Sequence, residues 1–455
     1  MADFILKQLP YDLSNQAGLA LIGKYLKRIN LNALVDPGFP VRSGIANSDL
    51  LKSYLGLLCL GKNDFDAIEP QRADAFFARA LGLRAVPSSP TLRQRLDAHA
   101  SAWFELAGRI NSAVLALKIS GKPIDFGALP CGYVPVDIDT FAMDNSGTAK
   151  ELVGRTYAGV DGYCPLAAYL GTQGFCLELA LRPGTQHSAC ESEYNFERVL
   201  PLAAQVTPAQ TPLLVRADSG FDSARLMCAI GQQALALGRE VAFLIKWNPR
   251  STPVETIAAG RLTDGQWQTL REGKRQCLWA QRVQVSHGSQ SLTVRRIYRL
   301  IERTLDKRGQ QMLLPEYVLE GWSTSLPESF TPEQVIALYA DHGTHEQFHS
   351  EFKTDMDLTR LPSGKFDTNY LVCALAAVAM NLLRLVGQHT LHEPHSPVRH
   401  RAQRRRIRTV MQELMFKAAR VIRHARQWVM GLGANDGAFA VFQRHWQQLD
   451  EPWPA

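Results

Sequence analysis

The chain has 455 residues, of which 46% are hydrophobic and 20% are charged. This length and composition exclude a disordered protein and allow two or three domains with a large buried core. Lysine and arginine total 50 against 43 for aspartate and glutamate, a formal net charge of +7, which suits a polyanionic partner without establishing one.

The cysteines, the first residues and the most apolar stretch exclude further classes. No two of the eight cysteines form the C-x-x-C pair of a typical zinc site. The opening segment lacks the sections of a secretory signal, so we expect a cytoplasmic, nucleoid-associated protein. Residues 371–386 are too short for a membrane span and contain Asn381 and Arg384. They predict a buried helix and no membrane.

Residues 1–125 have helical spacing of apolar residues and predict a helical N-terminal domain that binds DNA. Within it, SSPTLRQRLD predicts the capped start of a long amphipathic helix. Such a helix can lie against DNA or simply pack against its neighbours.

Residues 126–249 alternate between strands and helices, in the order of three strands, helix, strand, helix and strand. This order predicts an α/β fold, a mixed sheet flanked by helices. Residues 250–330 are rich in strands and predict a β-rich insertion. Residues 331–390 return to helical patterns, and residues 391–455 predict a basic helical C-terminal region.

Aspartates lie at two places where a strand meets a loop. Asp137 and Asp139 are two residues apart on one strand, so both side chains project from the same face. In an isolated D-x-D-T sequence, one of the two aspartates more often caps the following turn. Asp218 follows the apolar strand LLVRA, and ligands collect at the carboxyl ends of strands in open α/β sheets.

A third acidic position lies in the segment HGTHEQFHSEFK. If Thr344 begins a helix, Glu346 and Lys353 share one face, while Phe348 and Phe352 can bury the opposite face. Carboxylate oxygens select Mg²⁺ or Mn²⁺. Two such ions can support in-line phosphoryl transfer without a nucleophilic side chain.

These three blocks together resemble the DDE transposases of bacterial insertion sequences, whose catalytic core is RNase H-like. The segment LPSGKF, Asn369 and the helix ending Met380-Asn381-Leu382-Leu383 resemble the thirteen-eighty insertion-sequence family, as does SSPTLRQRLD. The resemblance implies that Asp139, Asp218 and Glu346 are the catalytic triad and hold two Mg²⁺ (or Mn²⁺) ions. Asp137 stays open as the alternative first ligand.

The wider class has a signature of Tyr, two residues, Arg, three residues, Glu, six residues, Lys. Tyr339, Glu346 and Lys353 fit this spacing, and His342 stands at the arginine position. The resemblance assigns Tyr339, His342 and Lys353 to DNA binding. Histidine lacks the permanent charge and the bidentate fork of arginine, so a weaker phosphate contact is expected at position 342.

The C-terminal region contains a dense run of arginines, among them Arg399, Arg401, Arg404, Arg405 and Arg406. Such a run favours salt-dependent contact with DNA phosphates or forms a solvated basic helix. The sequence therefore predicts a transposase that binds terminal inverted repeats, cleaves double-stranded DNA and transfers strands, acting as a homodimer on DNA. The alternatives are an RNase H-like nuclease without strand transfer and a non-catalytic DNA-binding regulator derived from a transposase.

Overall fold

The N-terminal part of the computed structural model is a group of helices. The model describes residues 5–250, 252–390, 396 and 404–451. The first elements are β1 (Asp12–Ser14), α1 (Leu19–Arg28), α2 (Leu31–Val35), α3 (Asn47–Cys59), α4 (Glu69–Ala73), α5 (Ala75–Ala80), α6 (Ser89–Leu115), β2 (Lys118–Ile119) and β3 (Lys122–Pro123). The long helix α6 begins where the sequence predicts, because the Ser88 side chain accepts a hydrogen bond from the Thr91 N–H and caps it.

The middle of the chain forms the centre of a large mixed sheet. Its elements are β4 (Val134–Thr140), β5 (Met143–Asp144), β6 (Gly154–Arg155), β7 (Asp161–Tyr163), β8 (Leu166–Leu170), β9 (Phe175–Ala180), α7 (Glu193–Val206), β10 (Leu213–Ala217), α8 (Ala224–Leu237) and β11 (Val241–Trp247). Strands β4, β10 and β11 are parallel neighbours, whereas β8 is antiparallel to both of its neighbours, β4 and β9. Because β4 and β10 are almost wholly buried and pair in parallel register, their carboxyl ends lie side by side.

The strand-rich segment extends this sheet. It contains α9 (Val254–Asp264), β12 (Trp267–Arg271), β13 (Lys274–His287), β14 (Gln290–Leu305) and β15 (Gln311–Thr324). Strand β15 pairs with β11, so within the described residues one nine-stranded sheet runs in the order β12-β13-β14-β15-β11-β10-β4-β8-β9. The strands of residues 250–330 therefore continue the central sheet.

Three helices follow the sheet: α10 (Pro332–Ala340), α11 (His345–Ser350) and α12 (Phe366–Thr390). A π-helical turn, Glu351–Asp355, continues directly from α11. Helix α12 is long and apolar enough to cross a membrane, but 89% of its most apolar window is buried inside the protein. It packs against α6, α3 and β9, and thus joins the N-terminal helices to the sheet.

The C-terminal region corrects the prediction of a basic helical tail. It contains α13 (Ile407–Val410), β16 (Ala419–His424), β17 (Gln427–Leu432) and α14 (Phe439–Asp450). Strands β16 and β17 form a hairpin, and β16 pairs with β1. The region is therefore part strand, and it returns to the start of the chain. Arg399 and Arg401 lie outside the described residues.

Candidate active site

Asp139 and Asp218 lie at the ends of neighbouring parallel strands. Ala217 of β10 is in register with Ile138 of β4, so the next residue on each strand is one of the two aspartates. The Asp218 side chain accepts a hydrogen bond of 2.9 Å from the Gly220 N–H, which fixes it above a short 3-10 turn. The sheet therefore brings together two carboxylates that are far apart in sequence.

The two carboxylates interact electrostatically. Burial raises the pKa of Asp218, and the negative charge of Asp139 raises it further. Both effects disfavour a second negative charge in a partly buried place. A cation between the two groups would remove this repulsion.

Asp139 is held by two histidines of α11. Its Oδ2 lies 2.6 Å from His345 Nε2 and 3.2 Å from His349 Nε2, and its Oδ1 accepts a hydrogen bond of 2.7 Å from the Thr140 N–H. Burial alone would raise the pKa of Asp139, but the two histidines outweigh it and hold that pKa below its usual range. Asp139 is therefore an anion in this site.

The two imidazoles have different environments. Burial lowers the pKa of both rings, yet for His345 the hydrogen bond and charge of Asp139 outweigh it, and the pKa is raised. For His349 burial dominates, and the pKa is lowered. The Tyr169 hydroxyl lies 3.0 Å from His349 Nδ1, and the Phe141 ring packs 4.4 Å from the His349 ring. These contacts hold α11 against the sheet.

Glu346 lies beside this cluster but is not joined to it by a hydrogen bond. It follows His345 on α11 and is exposed, and it forms no ion pair with any described residue. The structure therefore brings Asp139 and Asp218 together, and leaves Glu346 with a free carboxylate on the neighbouring helix.

Asp137, the alternative first metal ligand, already forms an ion pair with Arg216. The Arg216 guanidinium donates to both of its carboxylate oxygens, at 2.6 and 2.8 Å, and both side chains are at most 3% exposed. A buried bidentate pair of this kind leaves little lone-pair capacity for a metal ion. This geometry favours Asp139 over Asp137.

His342 is buried beneath the site. Its side chain is 2% exposed, its Nε2 lies 4.0 Å from Asp137 Oδ1, and burial lowers its pKa to about 4. A neutral, covered imidazole cannot touch a phosphate from this position. The predicted phosphate contact at His342 therefore has no support from its placement.

The remaining predicted DNA-binding residues border the site or lie below it. Lys353 Nζ is 5.8 Å from the centre of the Phe141 ring, two residues beyond Asp139, and Tyr339 is half-buried on α10. Arg404 and Arg406 are paired with carboxylates inside the protein, Glu351 at 2.5 Å and Asp355 at 2.8 Å. Arg405 also has an interaction within the protein.

The sequence reasoning missed the histidines. His345 and His349 are four residues apart on one helix, which is a spacing that places two side chains on the same face and is common among metal ligands. It also missed Ser188, whose Oγ lies 2.9 Å from Thr140 Oγ1 at the end of β4. No local pattern marks that serine.

The donor set fits divalent cations. Asp139, His345 and His349 each offer one ligand atom, and these atoms lie within 4.8 Å of one another. Asp218 adds a carboxylate that repels Asp139, and Glu346 adds one that forms an ion pair with none of the described residues. Neighbouring carboxylates repel one another, and a divalent cation bound among them stabilises the cluster.

The fold and the site define an α/β protein with a carboxylate–imidazole centre at the carboxyl end of its sheet. The chain belongs to the family described as transposase DDE domain group 1, whose model matches residues 11–451. No curated protein matches the chain. A solved structure of a piggyBac transposase synaptic complex with hairpin DNA aligns with a TM-score of 0.42 and 10% identity, over 96% of this chain and 83% of that one.

Proposed function

We propose that this transposase binds the terminal inverted repeats of a bacterial insertion sequence of the thirteen-eighty family, cleaves the DNA there and transfers the ends to a target. The observation that carries the proposal is the placement of Asp139 and Asp218 at the ends of adjacent parallel strands in a chain of this family. Two DNA ends must be brought together for transfer, so a homodimer is the expected form on DNA.

The core is proposed to be RNase H-like. The order β9-β8-β4-β10-β11 supports this, with β4, β10 and β11 parallel to one another and β8 antiparallel both to β4 and to β9. In such a sheet the substrate lies at the carboxyl ends of the parallel strands. Those ends carry Asp139 and Asp218.

Asp139, Asp218 and Glu346 are the proposed ligands of two Mg²⁺ (or Mn²⁺) ions. When bound, such ions activate a water or a 3′ hydroxyl and stabilise the leaving oxygen of an in-line displacement. Asp139 contributes an anion fixed by His345 and Thr140. Glu346 contributes a carboxylate that need not break an existing ion pair.

Around this centre, Lys353 and Tyr339 are the proposed DNA contacts. Lys353 offers an ammonium 5.8 Å from the centre of the Phe141 ring, which follows the strand end that carries Asp139. Tyr339 presents a half-buried ring at the end of α10. Their position beside the carboxylates supports phosphate binding at the site of reaction.

Substitution of the acidic residues tests the proposal. Asp218→Ala and Glu346→Ala should each abolish Mg²⁺-dependent cleavage of a duplex containing the element end, and leave DNA binding within a few fold. Glu333→Ala, which removes an exposed carboxylate from α10, is the matched control and should cleave normally. Cleavage retained by either variant would refute the assignment.

A strand-transfer assay separates the proposed transposase from the alternatives. Incubation of pre-cut element ends with a circular target should yield covalently joined products with the wild-type protein. Cleavage without joining would identify a nuclease, and specific end binding without either reaction would identify a regulator.

A further inference from the structure

Three potential ligand atoms converge on one point. Asp139 Oδ2, His345 Nε2 and His349 Nε2 are mutually close, with the carboxylate oxygen 2.6 and 3.2 Å from the two nitrogens. A cation about 2.1 Å from each of its ligands keeps neighbouring ligand atoms roughly 3 Å apart. The carboxylate oxygen lies near this distance from both nitrogens, and the two nitrogens lie within 4.8 Å of each other.

The hydrogen positions on His345 are constrained. Its Nδ1 contacts the backbone oxygen of His342, which can only accept, so Nδ1 carries the proton. In the neutral ring Nε2 then presents a lone pair to the Asp139 carboxylate, which is also an acceptor. Either a second proton or a cation must lie between them.

A carbonyl behind the distal ring nitrogen is the usual support of a metal-binding histidine. It fixes the tautomer and aims the free lone pair at the ion. His349 has an equivalent support, since its Nδ1 lies 3.0 Å from the hydroxyl of the fully buried Tyr169. That hydroxyl can accept a hydrogen bond from the Nδ1–H group and leave the Nε2 lone pair free.

Both rings lie in a place that water hardly reaches. The side chains of His345 and His349 are 9% and 6% exposed, so few water molecules compete with the two rings for a bound ion. A divalent ion bound to both rings would offset the negative charge of Asp139.

We propose that Asp139, His345 and His349 form a mixed oxygen–nitrogen site that binds a first-row transition-metal ion in preference to Mg²⁺. The inference rests on the proposed function in that Asp139 also belongs to the catalytic carboxylates. It differs from an all-carboxylate centre in the two imidazole ligands. Imidazole nitrogens suit borderline transition metals, whereas Mg²⁺ prefers oxygen ligands.

Pulsed electron paramagnetic resonance of Mn²⁺ bound to the full chain tests the site without requiring DNA cleavage. The wild type should show hyperfine coupling to imidazole nitrogen. His345→Gln should weaken that coupling, and the double variant with His349→Gln should remove it. The exposed His287→Gln, at the end of β13, is the control and should leave the coupling intact.

Affinity gives a second readout. Loss of both histidines should weaken Mn²⁺ binding by at least about tenfold, because loss of even an outer-shell partner of a ligand costs that much, and it should change Mg²⁺ binding far less. Circular dichroism establishes that the double variant is folded; if it is not, His345→Gln alone decides by its reduced coupling. Bound Mn²⁺ without nitrogen coupling in the wild type, or no Mn²⁺ binding, overturns the proposal.

The outcomes distinguish this inference from the proposed function. Nitrogen coupling together with cleavage by Asp218→Ala would support the mixed site and refute the catalytic assignment. Cleavage lost in Asp218→Ala, with no nitrogen coupling in the wild type, would refute the mixed site alone.

Discussion

Asp137 and Asp139 lie two residues apart on β4 and meet different partners. Asp137 is enclosed with Arg216, which also donates 2.7 Å to the Leu338 carbonyl oxygen of α10. Asp139 faces the histidines of α11 and the neighbouring Asp218. The sequence predicted that both would share a face, but it could not assign their roles, because the arginine that engages Asp137 comes from another strand.

Unfolding in urea should separate the two roles. Asp137→Asn leaves the Arg216 charge buried without a counterion and should lower the free energy of unfolding by about 3–5 kcal/mol. Asp139→Asn keeps an oxygen for the histidines and removes the repulsion on Asp218. Its free energy of unfolding should therefore fall by no more than about 1.5 kcal/mol. Equal losses would show that the two aspartates are not divided in this way.

His342 departs from the class signature, and the nearby Arg216 explains why the departure is tolerated. At this position the signature has an arginine, but here the neighbouring Arg216 already pairs with Asp137. A second guanidinium beside it would add a buried like charge, whereas a neutral imidazole does not. The departure was visible in the sequence; the reason for it required the structure.

At the scale of elements, two local conformations limited the prediction. Helix α11 is followed by a π-helical turn, in which the Met356 N–H donates to the Glu351 carbonyl oxygen. The wider turn shifts the phase of the residues within and after it, so Lys353 departs from the face predicted for a uniform α-helix. The turn also directs Glu351 and Asp355 into the protein.

The C-terminal hairpin was missed for a related reason. Its turn residues, Ala425 and Arg426, have φ of 46° and 66°. A two-residue turn of this kind normally uses Asn or Gly, and neither is present. Arginine and alanine favour helices, so local propensity predicted a helix where pairing with β1 stabilises a strand.

The buried Glu351 is predicted to secure the segment that begins at Arg404. Its carboxylate is bound by Arg384 at 2.6 Å, by Arg404 at 2.5 Å and by the Ile407 N–H at 3.0 Å. Glu351→Gln would leave Arg384 buried with an uncompensated charge. We expect a loss of about 3–5 kcal/mol near neutral pH, measured by chemical unfolding.

The ion pairs of Glu351 with Arg384 and Arg404 predict that the stability of the protein depends on pH. Burial alone would raise the pKa of Glu351, but Arg384 and Arg404 outweigh it, and the pKa is lowered. The stabilisation by these ion pairs is therefore complete above about 4.3, the pKa of a glutamate in the unfolded chain. It is lost as the pH falls toward the lower pKa that Glu351 has in the folded protein. The stability gap between wild type and Glu351→Gln should narrow below about pH 4.3. A constant gap would contradict this assignment.

At the scale of the whole molecule, α12 and the central sheet organise the chain. The apolar pattern of residues 371–386 predicted a buried helix, and α12 confirms it. Asn381 donates to the Cys176 carbonyl oxygen at 2.7 Å and accepts from its N–H at 2.7 Å, which explains a polar residue in this stretch. The mixed sheet was also predicted, but its extension by β12–β15 depends on pairing between β11 and β15, which no local pattern reveals.

The arginine run is predicted to affect both stability and DNA binding. Replacing Arg404, Arg405 and Arg406 by alanine should weaken DNA binding and flatten its salt dependence if these side chains contact phosphates. Because Arg404 and Arg406 pair with Glu351 and Asp355, the same change should also lower stability.

Exposed arginines of the C-terminal hairpin provide the control for that experiment. Arg423→Ala with Arg426→Ala removes two positive charges without breaking a buried ion pair. An unchanged salt slope in the triple variant, measured on folded protein, would show that the arginine run serves only the interior of the protein.

The central claim is that Asp139 and Asp218 share bound cations at the carboxyl ends of β4 and β10. A crystal structure of the full chain with Mn²⁺ and element-end DNA, with anomalous difference maps, tests it most directly. We predict anomalous peaks within coordination distance of both aspartates, with Glu346 turned toward one of them. Ordered DNA with no peak at these carboxylates, or peaks only elsewhere, would contradict the account.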